Sequence, residues 1–591
     1  MKRLLFTLLL ALSLAQPAQA ENKVLRYAFL IAETGFDPAQ ISDDYSRIVA
    51  SHIFEALFCY DPLARDPVRM LPLTASGLPE TSADFRSFTI HIRPGIFFTD
   101  DPAFKGKPRE LVAQDYVYSL QRFADPATNS PMWTPLEELG LLGLNERRQA
   151  ALKTKKPFDY DTPMPGLRAL DRYTLQLRTT EPRPRLAQVL SRSDLYGAVA
   201  REVIEAHPGD TMAHPVGTGP FVLKEWRRNS LIALDRNTAY RERYYDAQPA
   251  ADDAQGQAIA KRLHGRRLPM IDRVEVSIIE ESQPRWLSFL NGQFDFIDRV
   301  PPEFVNIGLP NGRIAPNLGK RGVQLFRTLA SDVAYTYFNL EDPTVGGYTA
   351  DKVALRRAIS LAWDAGREIR LLRRGQAIPA QSVVMPGTSG YDPAFKSEMS
   401  DFDPARANAL LDLYGYVDRD GDGWREMPDG SPLVLAWATQ PDSLSRSYDE
   451  MFRINMERIH VRTSFPTAKW PENLKAARAG KLMMWFLGET SDRADGADAL
   501  QHFYTPAFHA ANLGDFSNAA YDALYEKMQS LPDGPEREAL FREAKRILVA
   551  QMPAKFHVHR IVNDMAWPWV VGYRRPKFAV EFWQYVDIEA H

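Results

Sequence analysis

Cysteine is nearly absent: the 591 residues contain one, Cys59. No intramolecular disulfide can form, a thiolate metal cluster is equally excluded, and packing must hold the fold. A dominant charge is also lacking. Lys and Arg number 72 against 75 Asp and Glu, a formal net charge of −3, which rules out the basic footprint of a nucleic-acid-binding protein. The one long apolar run, Leu4 to Ala15, counts twelve residues, short of the roughly 20 that span a bilayer. Gly-x-Ser-x-Gly, His-Glu-x-x-His and Ser-x-x-Lys are missing, so a secreted hydrolase, the main rival from another functional class, has no motif to support it. Neither internal repeats nor low-complexity segments occur.

The first twenty residues read as a signal peptide: Lys2 and Arg3, the apolar run, then Gln16-Pro17-Ala18-Gln19-Ala20 with a small-x-small pattern, giving expected cleavage after Ala20. No lipobox cysteine follows, so the expected product is a soluble protein exported to the periplasm. Its removal takes away two basic residues and no acidic one, leaving 70 against 75. A mature chain of about 570 residues exceeds what one core supports and implies two or more lobes.

Strand and helix patterns alternate throughout, which predicts α/β layers. Val24 to Ile31 reads as a strand, and Tyr45 to Leu57 as a helix capped by Asp43 or Asp44. Phe88–Ile92 is a half-buried strand, Val112–Phe123 a helix, and 245–268 an exposed insertion. Asp403 caps a helix with Pro404 in its first turn, and Gly415 supplies its left-handed stop. Two closing helices are expected over 517–530 and 535–551. The most unusual stretch runs from His214 to Trp226, where two prolines and two glycines occupy six consecutive positions, 215–220, ahead of a strand-like segment. Such a stretch prescribes a backbone path.

This string resembles the signature of the family 5 periplasmic solute-binding proteins of ABC importers, which take up oligopeptides and dipeptides. The resemblance is distributed in family order: Phe36-Asp37-Pro38, Ile53–Leu57, Ile92–Phe98, Ala113–Leu120, the glycine-proline stretch, Leu290–Asp295, Phe338-Asn339, Leu355–Ile359 and Pro404–Gly415. It implies a periplasmic-binding-protein fold: two α/β lobes joined by a hinge, an extra subdomain on the first lobe, and a ligand enclosed between the lobes. The expected division is 21–62 and 164–325 in the first lobe, 63–163 in the extra subdomain, 326–520 in the second lobe, and 521–591 back in the first. The implied function is capture without chemistry. An oligopeptide-like solute is bound and handed by a monomeric receptor to an inner-membrane permease and ATPase, with a nickel chelate, haem or a glycoside as alternative solutes.

The resemblance also implies site residues. Gly488-Glu489-Thr490-Ser491-Asp492-Arg493-Ala494-Asp495 aligns without gaps on the family's glycine-tryptophan-x-alanine-aspartate-tyrosine-x-aspartate segment, whose first aspartate pairs with the ligand's ammonium group. That makes Asp492 the candidate anchor. Glu489 and Arg493 stand where the family has tryptophan and tyrosine, and Arg493 is positioned to neutralise Asp492. Ser42, Asp43 and Tyr45 fall in another ligand-lining segment, the alternative for Asp43 being a plain helix cap. Trp485, with Trp424 and Trp437, is a candidate stacking surface.

No cofactor is required by this reading. Asp418-Arg419-Asp420-Gly421-Asp422-Gly423-Trp424-Arg425-Glu426-Met427-Pro428-Asp429 nevertheless has the spacing of an EF-hand loop, with Asp418, Asp420, Asp422, Trp424 (backbone carbonyl), Glu426 and Asp429 as candidate ligands of a structural Ca²⁺. Asp429 stands where a bidentate glutamate is usual, which predicts weak affinity; a hairpin without metal is the alternative.

Overall fold

The computed structural model describes residues 22–65 and 67–591; the expected signal segment and its cleavage point lie outside them. The first lobe is built on the strand Val24–Phe29, parallel to Arg273–Ile278, which continues antiparallel to Leu231–Arg236 and Phe221–Arg227. Leu25, Tyr27 and Phe29 alternate onto one face. There they meet Ile232, Leu234, Val274 and Val276, covered by Val49, Ala50 and Ile53 of the helix Asp44–Ile53. That helix begins where Asp43 accepts the Ser46 N–H at 2.8 Å.

The glycine-proline stretch packs against the end of the same helix. A Cβ on Gly217 would stand 2.0 Å from the Ile53 carbonyl oxygen, and one on Gly219 would stand 2.6 Å from those of both His52 and Ile53. Gly219 N–H donates to the Ile53 carbonyl at 2.8 Å. Close approach of two backbones therefore requires both glycines.

An antiparallel sheet, Glu80–Thr81, Ser87–His91, Thr174–Arg178 and Leu167–Ala169, packs on the helix Ala113–Ala124 to form the subdomain core of Phe88, Ile90, Tyr116, Leu120, Leu175 and Leu177. This core runs beyond the expected limit at residue 163, because Thr174–Arg178 pairs with Ser87–His91. Leu63 packs elsewhere, with Tyr245, Leu263, Leu268 and Tyr585. The 245–268 segment is largely exposed, as expected, but it also carries the helix Ala254–Leu263, and its buried Tyr245, Leu263 and Leu268 close a small core of their own.

The second lobe holds the largest core. Strands Asp332–Phe338, Met484–Thr490 and Val434–Ala438 sit among the helices Ala350–Ala362, Pro404–Leu413 and Ser443–Glu457. The capping reading is met at Pro404–Leu413, where Asp403 accepts the Arg406 N–H at 2.9 Å and Gly415 has φ +82°. The helices Ala519–Ser530 and Pro535–Gln551 also belong here, contrary to the expected return to the first lobe at 521. Their buried faces, with Tyr521, Met528, Phe541 and Leu548, complete the second core.

The return is made by the long strand Ala554–Ala566. Its first half pairs with Asp332–Phe338, and residues Ile561–Ala566 pair with Gln324–Leu329. Two neighbouring segments, near residues 329–332 and 558–561, thus pass from one lobe to the other side by side. This is the two-lobed α/β architecture with a hinge and an added subdomain that the resemblance implied.

Candidate functional site

The segment 488–495 sits beside the hinge because Ser491 N–H donates to the Ser331 carbonyl at 2.8 Å. From there Asp492, on the second lobe, reaches two arginines of the first. Its Oδ2 accepts from Arg192 Nη1 at 2.7 Å and Arg47 Nη2 at 3.4 Å. Both arginines also hold the buried Asp194, Arg47 Nε at 2.7 Å and Arg192 Nη2 at 2.8 Å. Burial alone would raise the Asp194 carboxyl; Arg192 and Arg47 hold it down at about 2. Two guanidiniums thus hold a carboxylate from each lobe in one cluster.

Arg493 does not neutralise Asp492. It donates from Nε and Nη2 to Asp498 at 2.9 and 2.5 Å. Burial pushes the half-buried Glu489 carboxyl up; His502, with Nε2 at 3.6 Å, pulls it back and Asp492 adds to the rise. On the facing lobe Asp43 is engaged as a helix cap, with Thr34 Oγ1 also donating to it at 2.6 Å. Tyr45 packs on Phe29 with ring centroids 4.5 Å apart and planes tilted by 38°, and Ser42 is exposed. This segment and Asp492 converge through Arg47, whose Nη1 lies 3.4 Å from Asp44 Oδ1.

The aromatic candidates fare differently. Trp485 is 1% exposed and contacts Trp470, while Trp437 is stacked on Trp363. Both are core residues that face away from solvent, which removes them from a ligand surface. Trp424 lies under the Arg462 guanidinium, 5.7 Å from its centroid.

A second bridge was invisible in the sequence. Arg185, in the subdomain core, donates to the Leu531 and Gln529 carbonyls of the second lobe at 2.7 and 3.0 Å and pairs through Nε with Asp495 at 2.6 Å. Asp495 also accepts from Arg537 Nη2 at 2.6 Å. Burial would raise its carboxyl, yet Arg185 and Arg537 hold it well below the ordinary range. Beside the hinge a cavity of about 160 Å³ is lined by Arg65, Arg327, Arg574 and Lys577, a cationic wall on the first-lobe side in which Arg574 is paired with Asp253, and by Pro386 from the second lobe. A deeper recess next to Tyr60, Phe578 and Tyr585 contains Glu581, whose carboxyl is pushed up to about 7 by burial.

The acidic loop brings together Asp418, Asp420, Asp422 and Glu426, one oxygen of each lying within 4.8 Å of the others. Asp429 does not join them. Its Oδ1 turns back to accept from Ser431 N and Oγ at 2.9 and 2.6 Å, because the hairpin at Gly430 needs that cap. Asp418 accepts from Gly421 and Gly423 N–H groups, Glu426 from the Arg419 N–H at 2.7 Å, and Asp422 pairs with Arg462. Four of the six expected positions therefore fit a hard cation as carboxylates, and the twelfth does not.

The sequence profile of the bacterial extracellular solute-binding proteins, family 5 Middle, matches residues 69–510. Among curated relatives, Heme-binding protein A of Haemophilus influenzae is 24% identical over 584 residues, covering 96% of this chain and 93% of its own. Di/tripeptide-binding protein 2 of Pseudomonas aeruginosa is 25% identical over 577 residues, covering 96% and 95%. Among solved structures, the periplasmic binding protein DppA of Helicobacter pylori in complex with the peptide STSA superposes with a TM-score of 0.71 at 20% identity, over 96% of this chain and 99% of that one. Among the described residues no helix is long and apolar enough to cross a membrane.

Proposed function

Because the chain belongs to the bacterial extracellular solute-binding proteins of family 5, we propose that it is the periplasmic receptor of an ABC importer, taking oligopeptide-like solutes between its lobes and passing them to an inner-membrane permease and ATPase. It acts as an exported monomer, cleaved after Ala20, and releases its guest chemically unchanged. The observation that carries this reading is the joint itself. Two separately cored lobes are linked by two adjacent strand segments and meet through ion pairs, an arrangement suited to opening and closing over a guest. Relatives named for di- and tripeptides support a peptide guest.

A second reading, a non-peptide solute, is favoured by the state of Asp492. Its carboxylate already has two arginine partners, so a ligand ammonium would have to displace them. The cationic wall at the hinge suits carboxylate groups instead, and one relative is named for haem. Native mass spectrometry of protein taken from its own periplasm separates the readings. A ladder of mixed peptides supports the first, a single defined compound supports the second, and a chemically altered compound overturns both.

The proposal includes a structural Ca²⁺ on Asp418, Asp420, Asp422 and Glu426, without Asp429. Such an ion would pin the hairpin and take no part in solute binding.

A further inference from the structure

Away from the cleft, two histidines and an aspartate meet where the subdomain joins the glycine-proline stretch. His207 closes the short helix Arg201–Ala206, His214 follows the turn Thr211–Ala213, and Asp101 caps the turn Pro102–Phe104. The two imidazoles stack with centroids 3.6 Å apart and planes 21° from parallel. Asp101 Oδ2 lies 2.7 Å from His214 Nε2, and one donor atom from each of the three residues lies within 4.8 Å of the other two. The Asp101 side chain is covered, with 3% exposure, whereas that of His214 is 34% exposed, so the group opens to solvent on the imidazole side.

We propose that Asp101, His207 and His214 form a binding site for a divalent transition-metal ion of the Zn²⁺ type. Two imidazole nitrogens and one carboxylate oxygen make a borderline donor set that suits Zn²⁺ and its neighbours and not the oxygen-seeking Ca²⁺ or Mg²⁺. The carboxylate is oriented before any ion arrives: Oδ1 is fixed by the Ala103 N–H at 2.9 Å, which leaves Oδ2 turned to the imidazoles. The loops are held together as well, since Thr99 N–H donates to the Gly217 carbonyl at 2.9 Å, tying the segment before Asp101 to the stretch after His214. A single ion among the three donors supplies positive charge to both imidazole nitrogens and to the covered carboxylate at once, the near-parallel rings turning so that their in-plane lone pairs converge on it. On binding, His214 takes the tautomer with its proton on Nδ1, so that Nε2 and Asp101 Oδ2 both turn their lone pairs to the ion, and water completes the coordination from the open side. The ion would clip the subdomain to the first lobe, far in sequence from the Asp492 and Asp495 bridges.

The test uses the full mature chain, stripped with a chelator and titrated calorimetrically with Zn²⁺, Ca²⁺ and Mg²⁺. The expected result is one Zn²⁺ per chain, with affinity reduced at least about tenfold in H207A, H214A and D101N, and unchanged in D418N. His214 immediately precedes a tightly packed stretch, so if H214A does not fold by circular dichroism, H207A at the partly exposed helix end decides the matter. Absence of saturable Zn²⁺ binding overturns the proposal. So does undiminished binding in H207A, or loss in D418N, which would place the ion on the acidic loop.

Discussion

Replacing Arg185 by alanine should open the protein without unfolding either lobe. Arg185 crosses from the subdomain to the second lobe with a close charged pair to Asp495, a longer one to Asp533 at 3.8 Å and contacts to the Leu531, Gln529 and Met528 carbonyls, and its side chain and that of Asp495 are only 11% and 8% exposed. Charged hydrogen bonds so shielded contribute about 1.5–3 kcal/mol each. Asp495 keeps Arg537, so no carboxylate is left unpaired, and the net loss falls on the closed arrangement at about 3 kcal/mol. That corresponds to about a 150-fold shift in the balance between closed and open lobes. The assay is paired: small-angle scattering without ligand, where R185A should give a larger radius of gyration, and calorimetry with the identified solute, where affinity should fall by up to about 150-fold. R537A is the contrast. It leaves Asp495 with Arg185 but removes the bonds of Arg537 to Asp495, Asp533, Ser389 and the Met528 carbonyl inside the second lobe, and should lower the stability of that lobe by about 3 kcal/mol. An R185A protein with unchanged scattering and unchanged affinity would refute the view that this bridge holds the lobes together.

Three other perturbations follow from the packing and the charges. The neutral acid is the favoured form of buried Glu581, because burial lifts its carboxyl from 4.5 to about 7. Its contribution is thus complete below its unfolded value and lost as pH rises through about 7. Urea titrations should find E581Q gaining about 2.5 kcal/mol on the wild type between about pH 5 and about pH 8, and a constant gap would contradict the assignment. Gly217→Ala should cost at least about 2 kcal/mol in the same titration, since the new methyl meets the Ile53 carbonyl oxygen at 2.0 Å; a neutral result would mean that the helix end can retreat. Millimolar Ca²⁺ should raise the Tm of the wild type and not of a D418N/D420N double variant, as read by calorimetric melting, and equal curves with Ca²⁺ and EGTA would remove the ion from the loop.

How much of this was legible in the sequence depended on whether a signal is local. Caps and stops were readable because they act within one turn: Asp43 on Ser46, Asp403 on Arg406, and Gly415 in the left-handed region were all placed from short patterns. The helices 517–530 and 535–551 were placed as elements but not in the right lobe. Periodicity reports that a face is buried and says nothing of what covers it; the covering surface here is the second core, reached before the chain crosses back along Ala554–Ala566. Trp485 failed for the same reason, since an aromatic in a strand beside the site can face either side, and this one faces the core.

The partners of Asp492 show where sequence reading stops. Arg493, its neighbour, was the natural counterion, yet both residues lie in the bend that follows the strand Met484–Thr490, and Arg493 goes to Asp498. The true partners stand 445 and 300 residues away in the chain. Arg47 carried a faint signal, one helical turn beyond Asp44. Arg192 carried none, because an arginine in a short irregular segment has no periodicity to betray its direction. Charge pairing across lobes is long-range by construction: each member is an ordinary surface residue of its own lobe and acquires meaning only when the other lobe arrives. A residue such as Asp492 can therefore keep its place in a family pattern while two arginines outside that pattern, on the facing lobe, take up its carboxylate.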